Sequence, residues 1–525
     1  MDKNIQLIIP MSGIGRRFLE AGYTDPKPLI EVDGKPIIKH VVELFPGVTD
    51  VTFICNEIHM DRIESTGVLI EATPIYDTCK IHWVSNDNRK GPVEAVSQIF
   101  NSIDDDREVI VSYCDYGTSW DFEEFLRDVR TKDVDGAIPA YIGFHPHMLG
   151  SDNYAFCKLD DEGYLEQIKE KEPFTDNKME EYASNGTYYY KSGSIMKKYF
   201  QYLIDRDISL NGEYYCSLTY NQMVEDGLKV SIFEIDKMLQ WGTPYDLEIY
   251  RGWSNFFKRP KMLEIECPKD TTLILPMAGN GSRFSKEGYV LPKPLIPVDG
   301  VPMIIKAVND LPKCENNVFI VRNEHVNVND SGLSVDKTLK EEYPNTTIIG
   351  IDGVTEGQAC TCEIGVRGID LEKPILISAC DNGIYYDTEK CKEMLNDVSI
   401  DVLVWSFRNN QTSKVNPNSY AWLDVDGDDN IKHVSCKKFI YDNPLKTHAI
   451  IGTMFFRKAK YFLDGLHKNY EEGIRTNGEF YVDDVLNQNI KNGLTVKVFE
   501  VNHYICWGSP DDLKTYNYWN QYFKK

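Results

Sequence analysis

Ile8-Ile9-Pro10-Met11-Ser12-Gly13-Ile14-Gly15-Arg16-Arg17-Phe18 lies near the start of the chain, and Pro26-Lys27-Pro28-Leu29-Ile30 follows after seven residues. The stretch returns as Ile274-Leu275-Pro276-Met277-Ala278-Gly279-Asn280-Gly281-Ser282-Arg283-Phe284, again seven residues before Pro292-Lys293-Pro294-Leu295-Ile296. In both places a short apolar run ends in a Gly-bearing turn, the pattern of a buried parallel strand that feeds a loop. A Gly-x-Gly turn lets backbone N–H groups approach an anion closely, and an Arg two residues later adds a fork of donors. Lys27 and Lys293, each between two prolines, are nearly pre-set point charges aimed at the same anion. A dinucleotide fingerprint would need Gly where Phe18 and Phe284 stand, and no P-loop motif occurs.

Working outward, an offset of 266 residues lays the second half of the chain on the first. Leu7–Val42 and Leu273–Val308 share 21 identities over 36 ungapped positions, where unrelated stretches would share roughly two or three. The register holds at Asp115/Asp381, Gly186/Gly452, Asn211-Gly212-Glu213/Asn477-Gly478-Glu479 and Trp241-Gly242/Trp507-Gly508. A period this long means two copies of a whole domain rather than a solenoid. The expected division is a domain over 1–258, a linker over 259–271 and a second domain over 272–525.

Within each copy, strand candidates at Val51 to Cys55, Glu108 to Tyr113 and Lys229 to Ile235 alternate with helical stretches at Ile37 to Phe45, Pro92 to Asn101 and Phe122 to Arg130. This alternation predicts an α/β fold, a sheet wrapped by helices with ligands at the carboxyl ends of the strands. The 525 residues carry 42% hydrophobic and 26% charged side chains and a net charge of −24. So acidic a chain repels phosphate backbones and anionic headgroups, which argues against nucleic acid and membrane partners. Thirteen cysteines without a CxxC pair, a start too short in apolar residues for a signal peptide, and no long apolar run read as a reduced, cytoplasmic protein.

The Gly-x-Gly-x-Arg-Phe to Pro-Lys-Pro-Leu-Ile signature resembles that of the sugar-phosphate nucleotidyltransferases, which join a nucleoside triphosphate (NTP) to a sugar phosphate and release pyrophosphate. The resemblance covers the chain once per copy and is nearest to the group tied to capsule and surface-polysaccharide precursors. It implies two tandem GT-A-like, Rossmann-like domains with mixed, mostly parallel sheets. It also implies that Arg17 and Arg283 contact the triphosphate, and that Lys27 and Lys293 contact the reacting phosphates. Met11, Ser12, Gly13 and Gly15, with Met277, Ala278, Gly279 and Gly281, would line the nucleotide. Gly91 and Gly357 match the loop that faces the nucleobase, where Gln358 can read a base edge and the aligned Pro92 cannot. Lys171 and Lys437 fall where the family places a lysine on the sugar phosphate. Glu213 and Glu479 fall where an acid accepts from sugar hydroxyls, though a solvated helix-start glutamate fits equally.

A carboxylate directly after an apolar strand, as at Asp115 and Asp381, suits Mg²⁺, which completes its octahedron with phosphate oxygens; Mn²⁺ could replace it. Family members often carry an Asp two residues before the Gly of Gly-Thr-Pro, where this chain has Gln240 and Cys506. Asp236 is the expected second ligand in the first copy, and Asn502 its weaker counterpart. His145 and His147 have no counterpart in the second copy and read as a surface loop. Two rival readings stay open. A GT-A glycosyltransferase would want Asp-x-Asp where Asp115-Tyr116-Gly117 and Asp381-Asn382-Gly383 stand. A second copy that binds nucleotide sugar without turnover would act as sensor or scaffold. The assembly is expected to be a monomer that mimics a dimer, or a homo-oligomer.

Overall fold

The computed structural model describes residues 2–73, 79–85, 90–326 and 334–524. It separates into two compact units, Met1–Ser254 and Asn255–Lys525, and the division falls within the helix Pro244–Lys258. Residues 259–271 pack onto unit 2: Ile265 is buried, Cys267 N–H donates to the Lys313 carbonyl, and Lys313 N–H donates to that of Ile265.

Unit 1 is built on a ten-stranded mixed sheet. At its centre Asp2–Met11 lies parallel to both Val48–Asn56 and Glu108–Ser112, and Cys79–Val84 extends the parallel half. Ile8 pairs with Val111, so the two central strands end side by side and deliver the Gly turn and Asp115 to one edge. The other half is largely antiparallel: Thr187–Tyr190 joins Glu108–Ser112 to Gly136–Tyr141, and Tyr182–Ser184 continues to the hairpin Ala155–Leu159 and Leu165–Glu170. Val230–Glu234 adds a parallel partner to Gly136–Tyr141. The central strands are apolar on both sides because helices cover both faces. Ile8, Val109, Val111 and Ile138 pack with Met196, Phe200 and Tyr220 from the helices Gly193–Asp205 and Thr219–Glu225, each such side chain contributing about 1.5–3 kcal/mol of burial.

Unit 2 repeats this order. Thr346–Ile351, Asn316–Arg322, Thr272–Met277 and Ile375–Ile377 form its parallel half. The long strand His448–Phe456 takes the places that Tyr182–Ser184 and Thr187–Tyr190 share in unit 1. Left-handed backbone recurs at the 266-residue offset at Asp33/Asp299, Lys171/Lys437 and Asn211/Asn477.

The expected strands are present, and the helices begin as expected. The helix at Pro92 ends early, at Ser97, and gives way to a 3₁₀ turn over Phe100–Ser102. The two histidines do not sit on a surface loop. His145 is buried with its ring 4.5 Å from that of Tyr141, and His147 Nε2 is 2.9 Å from the Tyr141 hydroxyl. Burial pushes His145 down to about 4, so it is a neutral packing element at pH 7. Among the described residues no helix is long and apolar enough to cross a membrane.

Candidate active site

The Gly turn leaves each first strand and enters a short helix, Arg16–Glu20 or Ser282–Lys286, through a left-handed glycine, Gly15 at φ 66° and Gly281 at φ 58°. A Cβ at Gly15 would lie 3.5 Å from Cβ of Lys27, and one at Gly281 3.4 Å from that of Lys293. The backbone angle requires glycine here, and the turn packs directly over the lysine. Lys27 and Lys293 each open a 3₁₀ turn after a proline, Lys27–Leu29 and Lys293–Leu295. Lys27 Nζ lies 2.7 Å from Asp115 Oδ2, and Lys293 Nζ lies 2.5 Å from Asp381 Oδ2. Burial works against both ammonium groups, yet the partner carboxylate outweighs it and holds both above the ordinary lysine value. Asp381 is likewise pushed up by burial but ends below the usual carboxylate range because Lys293 and Arg283 favour its charge.

Arg17 and Arg283 are exposed and lie within electrostatic reach of the pairs, Arg17 acting on Lys27 and Arg283 on Asp381. Neither side chain has a hydrogen bond or ion pair among the described residues. Each is a free cation beside a half-buried ion pair, the arrangement an incoming polyanion needs.

The segments holding Trp241-Gly242 and Trp507-Gly508 close over the carboxylates. Trp241 N–H donates to the Asp115 carbonyl at 3.2 Å, and Trp507 N–H to that of Asp381 at 2.8 Å. A Cβ at Gly242 would sit 2.9 Å from Asp115 Oδ2 and 3.5 Å from Gln240 Oε1; one at Gly508 would sit 3.2 Å from both Asp381 Oδ2 and Cys506 Sγ. Gln240 and Cys506 therefore flank the carboxylates, whereas Asp236 does not. The ladder pairs Gln240 with Tyr116 and Lys237 with Ser119, and the four strand steps from Gln240 to Asp236 span about 13 Å along the hairpin. Ser119 Oγ donates to Asp236 Oδ2 at 3.3 Å. Asn502, whose backbone N–H donates to the Tyr385 carbonyl, holds the corresponding place in unit 2. Gly117 and Gly383 make room for the indoles: a Cβ there would lie 2.6 and 2.8 Å from a tryptophan ring atom. The second Asp of an Asp-x-Asp motif has no space in either unit.

Sequence reasoning missed Asp246 and Asp512. Thr243 Oγ1 donates to Asp246 Oδ2 at 2.5 Å and accepts from its N–H, and Ser509 does the same for Asp512. The hydroxyls cap the N-termini of the two helices while donating to the acids three residues on, and the spacing of Thr243-Pro244-Tyr245-Asp246 was the available signal. Burial raises Asp246, the Asp115 charge adds to this, and Arg17 opposes it, so the group belongs to the same electrostatic field.

At the opposite rim, Gly91 is at φ 92° and Gly357 at φ 145°. Cβ atoms there would lie 2.9 Å from the Tyr214 backbone and within 2.4 Å of the Phe480 carbonyl. Tyr214 N–H donates to Lys90, and Phe480 N–H to Glu356. The loops expected to face the base are thus stitched to the residues just after Glu213 and Glu479. Asn211-Gly212 and Asn477-Gly478, all at positive φ, are two-residue hairpin turns that present these acids. Lys171, at φ 58°, reaches the Tyr215 hydroxyl at 2.5 Å, and that hydroxyl donates to Glu213 at 2.5 Å. Lys437, at φ 53°, donates instead to the Ser419 carbonyl at 2.5 Å. Gln358 and Pro92 open the helices behind the base loops. Met11 and Met277 end the first strands of the two units, and Ser12-Gly13 and Ala278-Gly279 begin the turns that follow.

Residues 7–227 match the family model described as nucleotidyl transferase. Unit 1 carries a nucleotidyl transferase domain. No curated protein matches the chain. Among solved structures, it is similar to a nucleoside-diphosphate-sugar pyrophosphorylase from Vibrio cholerae RC9, with 20% identity, 47% of this chain and 99% of that chain covered, and a TM-score of 0.38. It is also similar to the inositol-1-phosphate CTP transferase from T. maritima, with 14% identity, 48% and 96% covered, and a TM-score of 0.37. The transferase domain of unit 1 contains the Gly turn, Lys27, Asp115, Lys171 and Glu213 within the matched residues, while Gln240 and Asp246 follow it.

Proposed function

We propose that the two units are tandem copies of one enzyme, each joining an NTP to a sugar or polyol phosphate and releasing pyrophosphate, in a cytoplasmic protein that supplies activated precursors for surface polysaccharide. The observation that carries this reading is the same pair, Lys27–Asp115 and Lys293–Asp381, beside a left-handed glycine turn and an unpaired arginine in both units.

Arg17 and Arg283 would take the triphosphate tail, with the Gly-turn backbone against it. Lys27 and Lys293 would hold the phosphates that react, and Lys171 and Lys437 the acceptor's phosphate. Placed this way, two anions lose their mutual repulsion and stand near attack distance. The acceptor oxygen attacks the α-phosphorus in line while pyrophosphate leaves. A phosphate monoester is already ionised at pH 7, so the reading needs no general base.

Asp115 and Asp381 suit Mg²⁺ or Mn²⁺: they are hard oxygen donors, and in unit 1 the Gln240 amide oxygen lies beside the carboxylate. The ion would neutralise charge on the phosphate oxygens. In unit 2 the flanking group is a thiol that burial pushes up to about 12, a poor ligand for Mg²⁺. This favours a second reading in which unit 2 binds nucleotide sugar and turns over slowly or not at all.

The test is pyrophosphate release from each of four NTPs with Mg²⁺ and a panel of sugar and polyol phosphates, for wild type, Lys27→Ala and Lys293→Ala. Loss of different substrate pairs supports two enzymes in one chain. Loss with Lys27→Ala alone supports the second reading, and loss with Lys293→Ala alone makes unit 2 the enzyme and overturns it. Binding of nucleotide sugar without any release removes nucleotidyl transfer.

A further inference from the structure

Beside the acceptor-phosphate lysine, the two units hold one carboxylate on opposite walls, half-buried in unit 1 and buried in unit 2. In unit 1 the strand Leu165–Glu170 ends in the acid, and Ser217 Oγ donates to Glu170 Oε2 at 2.6 Å. In unit 2 the position of Glu170 is Cys436 and that of Ser217 is Asp483, at the 266-residue offset. The contact survives with donor and acceptor exchanged: Cys436 Sγ donates to Asp483 Oδ2 at 3.9 Å. Asp483 comes from the first turn of the helix Val482–Lys491.

Both acids sit in the field of the neighbouring lysine. Burial raises Glu170, while Lys171 lowers it; burial pushes Asp483 up to about 6 against the pull of Lys437. A carboxylate that meets its own backbone N–H and a thiol at 3.9 Å keeps capacity to accept a stronger side-chain or ligand donor. A third difference lies on the same floor. Tyr113 packs its ring on Gly186, where a Cβ would meet it at 3.1 Å, and the ring also feels Glu170. Its counterpart is Ala379, which faces Gly452 with a methyl alone.

We propose that Glu170 and Tyr113 in unit 1, against Asp483 and Ala379 in unit 2, make the two units select different phosphorylated polyols, Asp483 reading from the helix wall a hydroxyl that Glu170 would read from the strand wall. The inference rests on the nucleotidyltransferase reading of both sites. A site built to accept a hydrogen bond from one hydroxyl rejects an acceptor that lacks it there, because its buried acid is left unpaired.

The experiment measures kcat/KM for pyrophosphate release with glucose 1-phosphate, glucosamine 1-phosphate, ribitol 5-phosphate and glycerol 3-phosphate. Lys27→Ala reports unit 2 and Lys293→Ala reports unit 1. Expected is a different order of acceptors in the two proteins, with ratios that differ by about tenfold or more. The same order within about twofold overturns the inference and leaves nucleotidyl transfer standing, as does activity confined to one unit. Absence of release in wild type with every pairing overturns both. In the Lys27→Ala protein, Asp483→Asn keeps the volume and removes the charge; it should raise KM for the preferred acceptor while KM for the NTP stays. Equal changes in both constants, or none, overturn the role of Asp483. Cys436→Glu with Asp483→Ser should move the order of unit 2 toward that of unit 1, and an unchanged order in a folded protein counts against the exchange.

Discussion

Lys293 Nζ lies 2.5 Å from Asp381 Oδ2, and Lys27 meets Asp115 at 2.7 Å with the same atoms 88 residues apart in sequence. The ammonium is paired before any ligand arrives, and in unit 2 the Lys293 charge holds the Asp381 carboxylate below its ordinary range. An incoming triphosphate and metal would each take one partner of the pair, which gives both groups a ready place to go.

Replacing Lys27 with Met should reduce the turnover of unit 1 by about 10²–10³-fold, the usual loss when one charged stabiliser is removed. Lys27→Arg should not restore it, since the planar fork does not fit a space shaped for a point charge under Gly15. Steady-state pyrophosphate release in the Lys293→Ala background reads the effect.

The Lys293–Asp381 pair sets two pH limits. Asp381 sits below its ordinary value of 3.8, so the stability it contributes is present above about pH 4 and is lost as pH falls through the folded value. Lys293 sits above 10.5, so its contribution is present below that pH and is lost as pH rises through the folded value. Thermal unfolding of Asp381→Asn should therefore differ from wild type between these limits and converge with it below the acid one.

Asp310 behaves oppositely. Burial pushes it up to about 6, although the Ile384 N–H and Arg259 favour its charge. Its raised pKa favours the fold when protonated, and that contribution is lost as pH rises through about 6. Asp310→Asn should stabilise unit 2 at pH 7.5 by an amount on the order of 1–3 kcal/mol, and the gain should shrink toward pH 4. Denaturant melts at the two pH values check it.

Gly13 and Gly15 should part company. Nothing lies within 4 Å of a Cβ at Gly13, so Gly13→Ala should leave the melting temperature within about a degree and act, if at all, on KM for the NTP. Gly15→Ala forces φ 66° on an L-residue and should cost about 1 kcal/mol, with kcat falling as Lys27 shifts.

Gln240→Asp and Cys506→Asp each place a second carboxylate beside the first, across Gly242 or Gly508. Either should tighten Mn²⁺ binding at that unit by roughly tenfold, the larger gain falling on Cys506→Asp because sulfur is replaced by a hard donor. Electron paramagnetic resonance of free Mn²⁺ measures it without reference to turnover.

The apolar runs ending in Gly turns, the strand–helix alternation and the 266-residue offset were all legible because they are local or periodic features of one chain. Lys27 and Asp115 could be named for the same reason, whereas Gly91 and Glu213 were named through the resemblance to sugar-phosphate nucleotidyltransferases. The partner of each could not. Asp236 looked like a ligand from its place at a strand end, but hairpin register carries it away from Asp115 and brings Gln240 instead. His145 was expected on a surface loop because it has no counterpart in the second copy and no metal partners at useful spacing, yet it folds back onto Tyr141 at the end of the strand Gly136–Tyr141 and is buried there.

The sequence by itself determined the architecture of each unit, the sites of its turns and the identity of the charged groups, since backbone preference and hydrophobic period act over a few residues. Only the tertiary structure decided which groups meet: Lys27 with Asp115, Gly91 with Tyr214, and the exchange of Glu170–Ser217 for Cys436–Asp483. Those contacts join residues 47 to 123 positions apart in the chain. At such separations strand order and register, rather than any local preference, set the distance.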